Sequence, residues 1–251
     1  MIDIHTHVLP HIDDGAKNTE IARKMIEAAL EQGTTQLVLT PHYYGKRRSP
    51  LQFIEKRAEV YAHLKPQIPE GIEVRLGAEV HFTGLNLPRF EDLCSLSIEG
   101  TECVLFEFPF TEKWHPLLLE RLAEFITETD YLPIIAHVER YGEILKNPAL
   151  VTQLINMGCL LQVNAQAFVD KRSSKLAKKL LEKGLVHCIG SDAHDLEMRS
   201  IDLLSARAVI EKAGLAAEWD RTQLIMQEVL SGKKLHFRTN VKIKKLFGFY
   251  F

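Results

Sequence analysis

Nine residues spread over most of the chain carry side chains that hold divalent ions: His5, His7, Asp14, His42, Glu79, Glu107, His137, Asp192 and His194. The set combines imidazole with carboxylate and contains no thiolate, which suits Mn, Fe or Zn better than a cysteine-rich structural zinc site does. One residue separates His5 from His7, so in an extended segment both rings point to the same side as a chelating pair. Nine donors are too many for one ion, and two or three divalent ions, manganese first among them, account for them better. Arg140 lies three residues after His137 and Arg199 five after His194. Guanidinium forks clamp phosphate oxygens. Clustered divalent ions lower the pKa of water toward about 7 and orient phosphoryl oxygens, while Arg offsets charge developing in an in-line displacement. Those parts describe hydrolysis of a phosphomonoester or phosphodiester, with metal-activated hydroxide attacking a phosphate clamped by Arg140 and Arg199.

Such residues need elements that carry them to one place. Short apolar runs at 2–5, 36–40, 73–79, 102–108, 132–137, 159–164 and 186–190 read as strands, and nearly every one ends in a donor. The first runs into His5-Thr6-His7 with Asp13-Asp14 behind it, and Pro41-His42 follows the second. Glu79, Glu107 and His137 end the next three; the sixth offers only Asn164, and the seventh opens into Ser191-Asp192-Ala193-His194. Between them lie helical spacings such as Ile21, Met25, Ala28 and Ala29, or Leu118, Leu122, Phe125 and Ile126. Asn18 is the expected N-cap of the first helix and Gly33 its end; Asn147-Pro148, Gly158 and Gly184 punctuate later ones. Two more helices are expected near 199–213 and 220–230. Regular β/α alternation without a linker or repeat predicts one parallel α/β domain over 1–251. Donors at the ends of many different strands meet on one face in a barrel, whereas an open sheet gathers its ligand at one switch point. The donor distribution therefore favours a barrel.

Other classes lose support on specific residues. With 31 Lys and Arg against 33 Asp and Glu, the net charge of −2 leaves no nucleic-acid footprint. The start, MIDIHTHVLP, lacks the pattern of a secretory signal, and no apolar run reaches the roughly 18 residues of a membrane span. Cys94, Cys103, Cys159 and Cys188 form no CxxC pair, so reduced thiols and a cytoplasmic location are expected. No Cys is followed at the right spacing by the Arg of a thiol phosphatase; after Cys188 that position is His194. Neither GxxxxGK[ST] nor a post-strand GxGxxG is present. Barrel amidohydrolases also open with HxH but commonly bridge their metals with a Lys after the fourth strand, where this chain has Glu107. His11, His63, His115, His187 and His236 lie off the strand-end pattern and are read as structural; His81, one alternation past Glu79, could face the site but is not counted among the donors. Gly45-Lys46-Arg47-Arg48 belongs at the rim of the metal face, where Arg47 and Arg48 would attract an acidic substrate tail. The ending KIKKLFGFYF, within a tail of about 238–251, is read as docking on the protein itself.

Taken in order, HxHxLPxxDDG at 5–15, TPHY at 40–43, GAEV at 77–80, FEFP at 106–109, AHxER at 136–140 and SDAH at 191–194 resemble the PHP (polymerase and histidinol phosphatase) superfamily. More narrowly they resemble its bacterial capsule-associated branch of metal-dependent protein-tyrosine phosphatases, and the likeness runs nearly end to end, to the Lys-Leu-Phe-Gly-Phe at 245–249. The resemblance implies a distorted seven-stranded (β/α) TIM-like barrel with a trinuclear metal centre. His5, His7, Glu79 and Asp192 would hold one ion; Glu79 would bridge to a second, held also by Glu107 and His137; Asp14, His42 and His194 would hold a third. Arg140 and Arg199 match the arginines that bind substrate phosphate. Val138 stands where many members have proline. The implied partner is a bacterial tyrosine autokinase whose Tyr-rich tail is dephosphorylated in control of capsule and exopolysaccharide synthesis; no nucleic acid or membrane insertion is implied, and self-association is left open. A phenolate leaving group with pKa near about 10 needs little acid help; His42 or a metal-bound water is the candidate acid. Three competing functions share parts of this reading: a histidinol phosphate-type small-molecule phosphatase, a phosphodiesterase or nuclease module, and a metal-binding scaffold without catalysis.

Overall fold

A computed structural model of the chain describes residues 1–85, 87–110, 113–246 and 249–250. Nine short strands run parallel: β1 Ile2–Thr6, β2 Gln36–Leu39, β3 His42–Tyr43, β4 Glu73–Leu76, β5 Glu79–His81, β6 Cys103–Glu107, β7 Leu132–Ile135, β8 Leu160–Asn164 and β9 Cys188–Gly190. They form a three-stranded sheet, β1-β2-β4, and a six-stranded one, β3-β5-β6-β7-β8-β9, that makes a half-barrel. The run expected at 73–79 is split into β4 and β5, while the run expected at 36–40 is β2 and a further short strand, β3, forms in the loop expected after it. Pro41 has no N–H for a ladder, and at Gly77 a side chain would press on Thr40 and Ile98 at 3.2 and 3.3 Å. Single hydrogen bonds still cross the breaks, from Gly77 N to Leu39 O at 2.8 Å and from Glu79 N to Pro41 O at 3.1 Å. On the far side Thr6 bridges Ala193 in parallel, with Asp192 N donating to His5 O and His7 N to Ala193 O, both at 2.8 Å.

Alternation along the strands divides each into an apolar lower part and a polar upper part on the same face. Cys103 and Leu105 precede Glu107 in β6, and Leu160 precedes Gln162 and Asn164 in β8, all buried. The lower residues pack with Ile2, Ile134 and Cys188 against Ile225, Met226 and Val229 of the helix Ala216–Leu230. Burying that stripe closes the lower end, and the donors are left at the strands' C-terminal ends. Outside the sheets, helices Leu117–Thr129, Ala149–Met157 and Ser174–Glu182 cover a larger core that includes Phe82, Phe106, Phe125 and Tyr141.

Helix Thr19–Glu31 begins at Asn18, whose Oδ1 accepts from Ile21 N at 2.9 Å. Asn147 does not cap as expected: Pro148 holds the cap position of Ala149–Met157 and no side chain caps it. The last two helices are Leu203–Lys212 and Ala216–Leu230, the second starting four residues before the expected 220. Beyond them the chain lies along Ala149–Met157. Thr239 N donates to Asn156 Oδ1 and Asn156 Nδ2 to Thr239 O, both at 3.0 Å, Thr152 Oγ1 donates to Val241 O, and Ile243 is buried in the outer core. A two-residue antiparallel pair, β10 Lys245–Leu246 with β11 Phe249–Tyr250, follows; the Phe and Gly of the expected motif at 247 and 248 lie outside the described residues.

Candidate metal centre

Each strand end aims its donor by a local device. In β1 the pairing register slips between Asp3 and Thr6, an irregularity of the kind found beside functional sites, and His5 and His7 keep the common side that alternation gives residues two apart. His5 and His7 both reach the centre, with their Nε2 atoms 3.2 Å apart. His137 and Asp192 sit at φ 33° and 56°, the left-handed region that costs a non-glycine residue about 1–3 kcal/mol and persists where surroundings enforce it. The loop after β1 folds back because Gly15 lies against His7, where a Cβ would be 2.7 Å from that of His7.

All nine expected donors come together at this face. Among the described residues, donor atoms of His5, His7, Glu79 and Asp192 lie within 4.8 Å of one another, as do those of His7, Asp14, His42 and His194, and those of His42, Glu79 and Glu107. His137 reaches the same carboxylates, its Nε2 2.8 Å from Glu79 Oε1 and 3.8 Å from Glu107 Oε1. Glu79 is the hub. Its Oε2 has His5 Nε2 at 3.3 Å, His7 Nε2 at 3.2 Å and His42 Nδ1 at 2.9 Å, yet this buried oxygen makes no aligned hydrogen bond, and neither does His42 Nδ1 nor His194 Nε2. Buried polar atoms are normally paired. Lone pairs converging without shared protons are what cation ligands present, so the donor set and its orphaned atoms fit divalent ions. Against the effect of burial, His5 and its neighbouring imidazoles hold Glu79 well below the usual carboxylate range, and His5 and His7 do the same for Asp192. Burial and the adjacent His7 push His194 down to about 4, so its ring is neutral as a ligand must be.

Arg140 and Arg199 grip opposite oxygens of Asp192: Nη1 of the first meets Oδ2 at 3.0 Å and Nη2 of the second meets Oδ1 at 2.9 Å. Phe110 supports Arg140, with the guanidinium 4.4 Å from its ring centroid. Both arginines line a cavity of about 400 Å³ with Asn164, Ser191, Asp192 and Met198. On the other side of the cluster a cavity of about 500 Å³ is lined by Asp14, His42, Tyr44, Arg47, Arg48 and Phe53. Arg47 and Arg48 thus stand at the rim and not at the cluster.

Several polar contacts were not legible. Asp13, not only its neighbour Asp14, belongs to the site: Oδ2 takes the His7 Nδ1 at 2.7 Å and His42 N at 2.8 Å. Burial would raise its pKa, but the His7 ring and the backbone amides hold it at about 2. His81, left out of the donor set although its alternation allowed it to face the site, places Nδ1 3.1 Å from Glu107 Oε2. Glu139 is buried beside Arg140, and burial pushes its carboxyl up to about 8. Gln162 bonds to the His5 ring and to His137 N; a glutamine between Leu161 and Val163, two residues before Asn164, was the signal. His187 is buried away from the donors and accepts from Leu161 N at 3.1 Å.

Comparison with known proteins bears on this arrangement. Residues 1–227 match the model of the family described as capsular polysaccharide synthesis, CpsB/CapC. The chain is 32% identical to tyrosine-protein phosphatase YwqE of Bacillus subtilis (strain 168), over 100% of both proteins. It is 30% identical to tyrosine-protein phosphatase CpsB of Streptococcus pneumoniae, over 84% of this chain and 90% of that one. Its structure is similar, at TM-score 0.79 and 28% identity, to a crystal structure from a study of YwqE from Bacillus subtilis and CpsB from Streptococcus pneumoniae, described there as unique metal-dependent tyrosine phosphatases; the match covers 98% of this chain and 100% of that one.

Proposed function

The chain belongs to the CpsB/CapC family of capsular polysaccharide synthesis, and from that premise we propose that it is a metal-dependent protein-tyrosine phosphatase. The observation that carries the reading is the pair of arginines, Arg140 and Arg199, on the two oxygens of Asp192 at the edge of a buried imidazole and carboxylate cluster. Divalent ions bound there would supply Lewis-acid activation of water and of the phosphoryl group. We assign three ions, manganese first, to His5, His7, Glu79 and Asp192; to Glu79, Glu107 and His137; and to Asp14, His42 and His194. The ring of His42 turns both nitrogens inward, Nδ1 to Glu79 and Nε2 to Asp14 at 3.6 Å. We therefore give it to metal binding and let the phenolate, of pKa about 10, leave without a protein acid.

The protein's own groups then divide the work. Arg140 and Arg199 present their remaining N–H donors outward to phosphate oxygens, while Asp192 fixes the direction of both forks. Phe110 keeps Arg140 from folding away. Arg47 and Arg48 attract acidic residues around the phosphotyrosine, as in the tail of a bacterial tyrosine autokinase. We further infer that the two parallel sheets are the halves of one distorted seven-stranded barrel, with β2 and β3 one staved strand and β4 and β5 another, making a single domain over 1–251. Four cysteines without a disulfide support a reducing, cytoplasmic setting. No described helix is long and apolar enough to cross a membrane.

The test is phosphate release from a phosphotyrosyl peptide and from histidinol phosphate, side by side, with Mn²⁺ and with chelator. Chelator-sensitive turnover that prefers the peptide is expected, and Arg140→Gln or Arg199→Gln should lower kcat/KM about 10²–10³-fold. Preference for histidinol phosphate would overturn the substrate, and turnover in chelator would overturn the chemistry.

A further inference from the structure

Strand β8, which ends in Asn164 and supplies none of the nine donors, carries two buried amides whose hydrogen bonds run through the centre. Gln162 is fully buried and Asn164 nearly so. His137 N donates to Gln162 Oε1 at 2.7 Å, and because a backbone N–H can only donate, that contact settles which end of the amide is oxygen. Gln162 Nε2 must then be the donor to Asn164 Oδ1, at 2.9 Å. Asn164 is oriented in turn, and its Nδ2 donates to Asp192 Oδ2 at 2.9 Å, an oxygen that can only accept when ionised. An obligate donor at one end and an obligate acceptor at the other leave both amides a single orientation.

The same Gln162 Oε1 lies 3.2 Å from His5 Nδ1. An oxygen there requires the proton of the His5 ring on Nδ1, which leaves the lone pair on Nε2, the atom that faces Glu79 at 3.3 Å and Asp192 at 3.5 Å. The neighbouring strand makes room for this contact. At Gly190 a Cβ would stand 2.7 Å from His5 Cβ and 3.2 Å from Gln162 Nε2.

We propose that Gln162, relayed by Asn164, is a positioning residue for the metal centre: it sets the His5 tautomer, braces the left-handed turn at His137 and aims Asp192. One amide thereby ties donors from β1, from the end of β7 and from the end of β9 into one unit. Outer groups that orient ligands in this way commonly account for 10–100-fold in metal affinity. The inference rests on the metal-centre reading but not on the identity of the substrate.

The experiment is a Mn²⁺ titration of the chelator-stripped full chain, with free ion followed by electron paramagnetic resonance, for the wild type, Gln162→Leu and Asn164→Ala. Gln162→Leu keeps the side-chain volume close and removes every bond of the amide; it is expected to weaken Mn²⁺ binding about 10–100-fold. Asn164→Ala cuts only the arm to Asp192 and is expected to weaken it less. With Mn²⁺ saturating, both should lower kcat on an aryl phosphate more than they raise KM. In the Zn²⁺-loaded wild type the His5 Nδ1–H should give a slowly exchanging proton resonance that Gln162→Leu loses. Wild-type affinity in a folded Gln162→Leu, with only a lowered melting temperature, would make the amide merely structural and overturn the proposal. Should Gln162→Leu not fold, wild-type affinity in Asn164→Ala overturns it alone. A wild type that takes up no Mn²⁺ sinks the metal centre and this inference together; one that binds Mn²⁺ but leaves phosphotyrosine untouched sinks only the substrate.

Discussion

Two adjacent aspartates follow the first strand, and nothing in their spacing says which one serves the site. The side chain of Asp14 is 65% exposed and stands 3.6 Å from His42 Nε2 and 3.5 Å from His194 Nε2, while Asp13 turns inward to the far nitrogen of His7. The two carboxylates therefore do different things: one offers itself as a donor, the other fixes a donor. Accepting from His7 Nδ1 leaves His7 Nε2 for an ion. Asp13→Asn sets an amide donor either at the place of Oδ2, against both the His7 ring and the His42 amide, or at the place of Oδ1, against Gly15 N. It should weaken Mn²⁺ binding about 10–100-fold with little change in the unfolding temperature of the metal-free chain, which titration and thermal melts would read together. The nine candidate donors were legible because few side chains suit divalent ions and most of these close short apolar runs. Asp13 was not, because its role depends on a loop folded back onto the strand it leaves.

At the scale of elements, the site depends on how closely two strands approach. β1 and β9 belong to different sheets and meet through the Thr6 and Ala193 bridge, and Gly190 is where their backbones leave no room for a side chain. Gly190→Ala would place a Cβ 2.7 Å from that of His5. Such overpacking typically costs about 1–3 kcal/mol; urea unfolding should show it, and Mn²⁺ affinity should fall as His5 is displaced. Gly142→Ala, whose added carbon would meet only Phe110 O at 3.5 Å, is the control expected to leave both unchanged. Strand and helix positions could be read from periodicity, down to the Asn18 cap. The breaks at Pro41 and Gly77 and the register slip in β1 could not, since they answer to neighbouring strands and not to local pattern.

The whole molecule joins this upper face to a lower one that carries its own sensitivity. His187 is buried under Phe237 of the C-terminal segment, with ring centroids 4.4 Å apart, and burial, with nearby Arg221, pushes its pKa from 6.5 down to about 3. The folded pKa is the lower one, so the unfolded chain takes up a proton that the folded chain refuses. Stability from this group is whole above about 6.5 and is lost as pH falls toward 3. Between pH 7 and pH 5 the loss should be about 2 kcal/mol. Urea unfolding of the wild type and of His187→Gln at both pH values should show their difference shrinking by that amount; a constant difference would mean the ring is not held neutral.

From the residues alone one could name the candidate donors, the two candidate phosphate-clamping arginines, the parallel α/β class and the family resemblance, because these depend on side-chain chemistry and on periods of two and 3.6 that are local to each segment. The tertiary structure decided which nitrogen of each imidazole faces the cluster, which of two aspartates stands beside His42 and His194, and that Gln162, with Asn164, links His5, His137 and Asp192 by hydrogen bonds. Those outcomes depend on distances between strands far apart in sequence. They are settled by packing and inter-strand register, by the left-handed turns at His137 and Asp192, and by the space a single glycine leaves open.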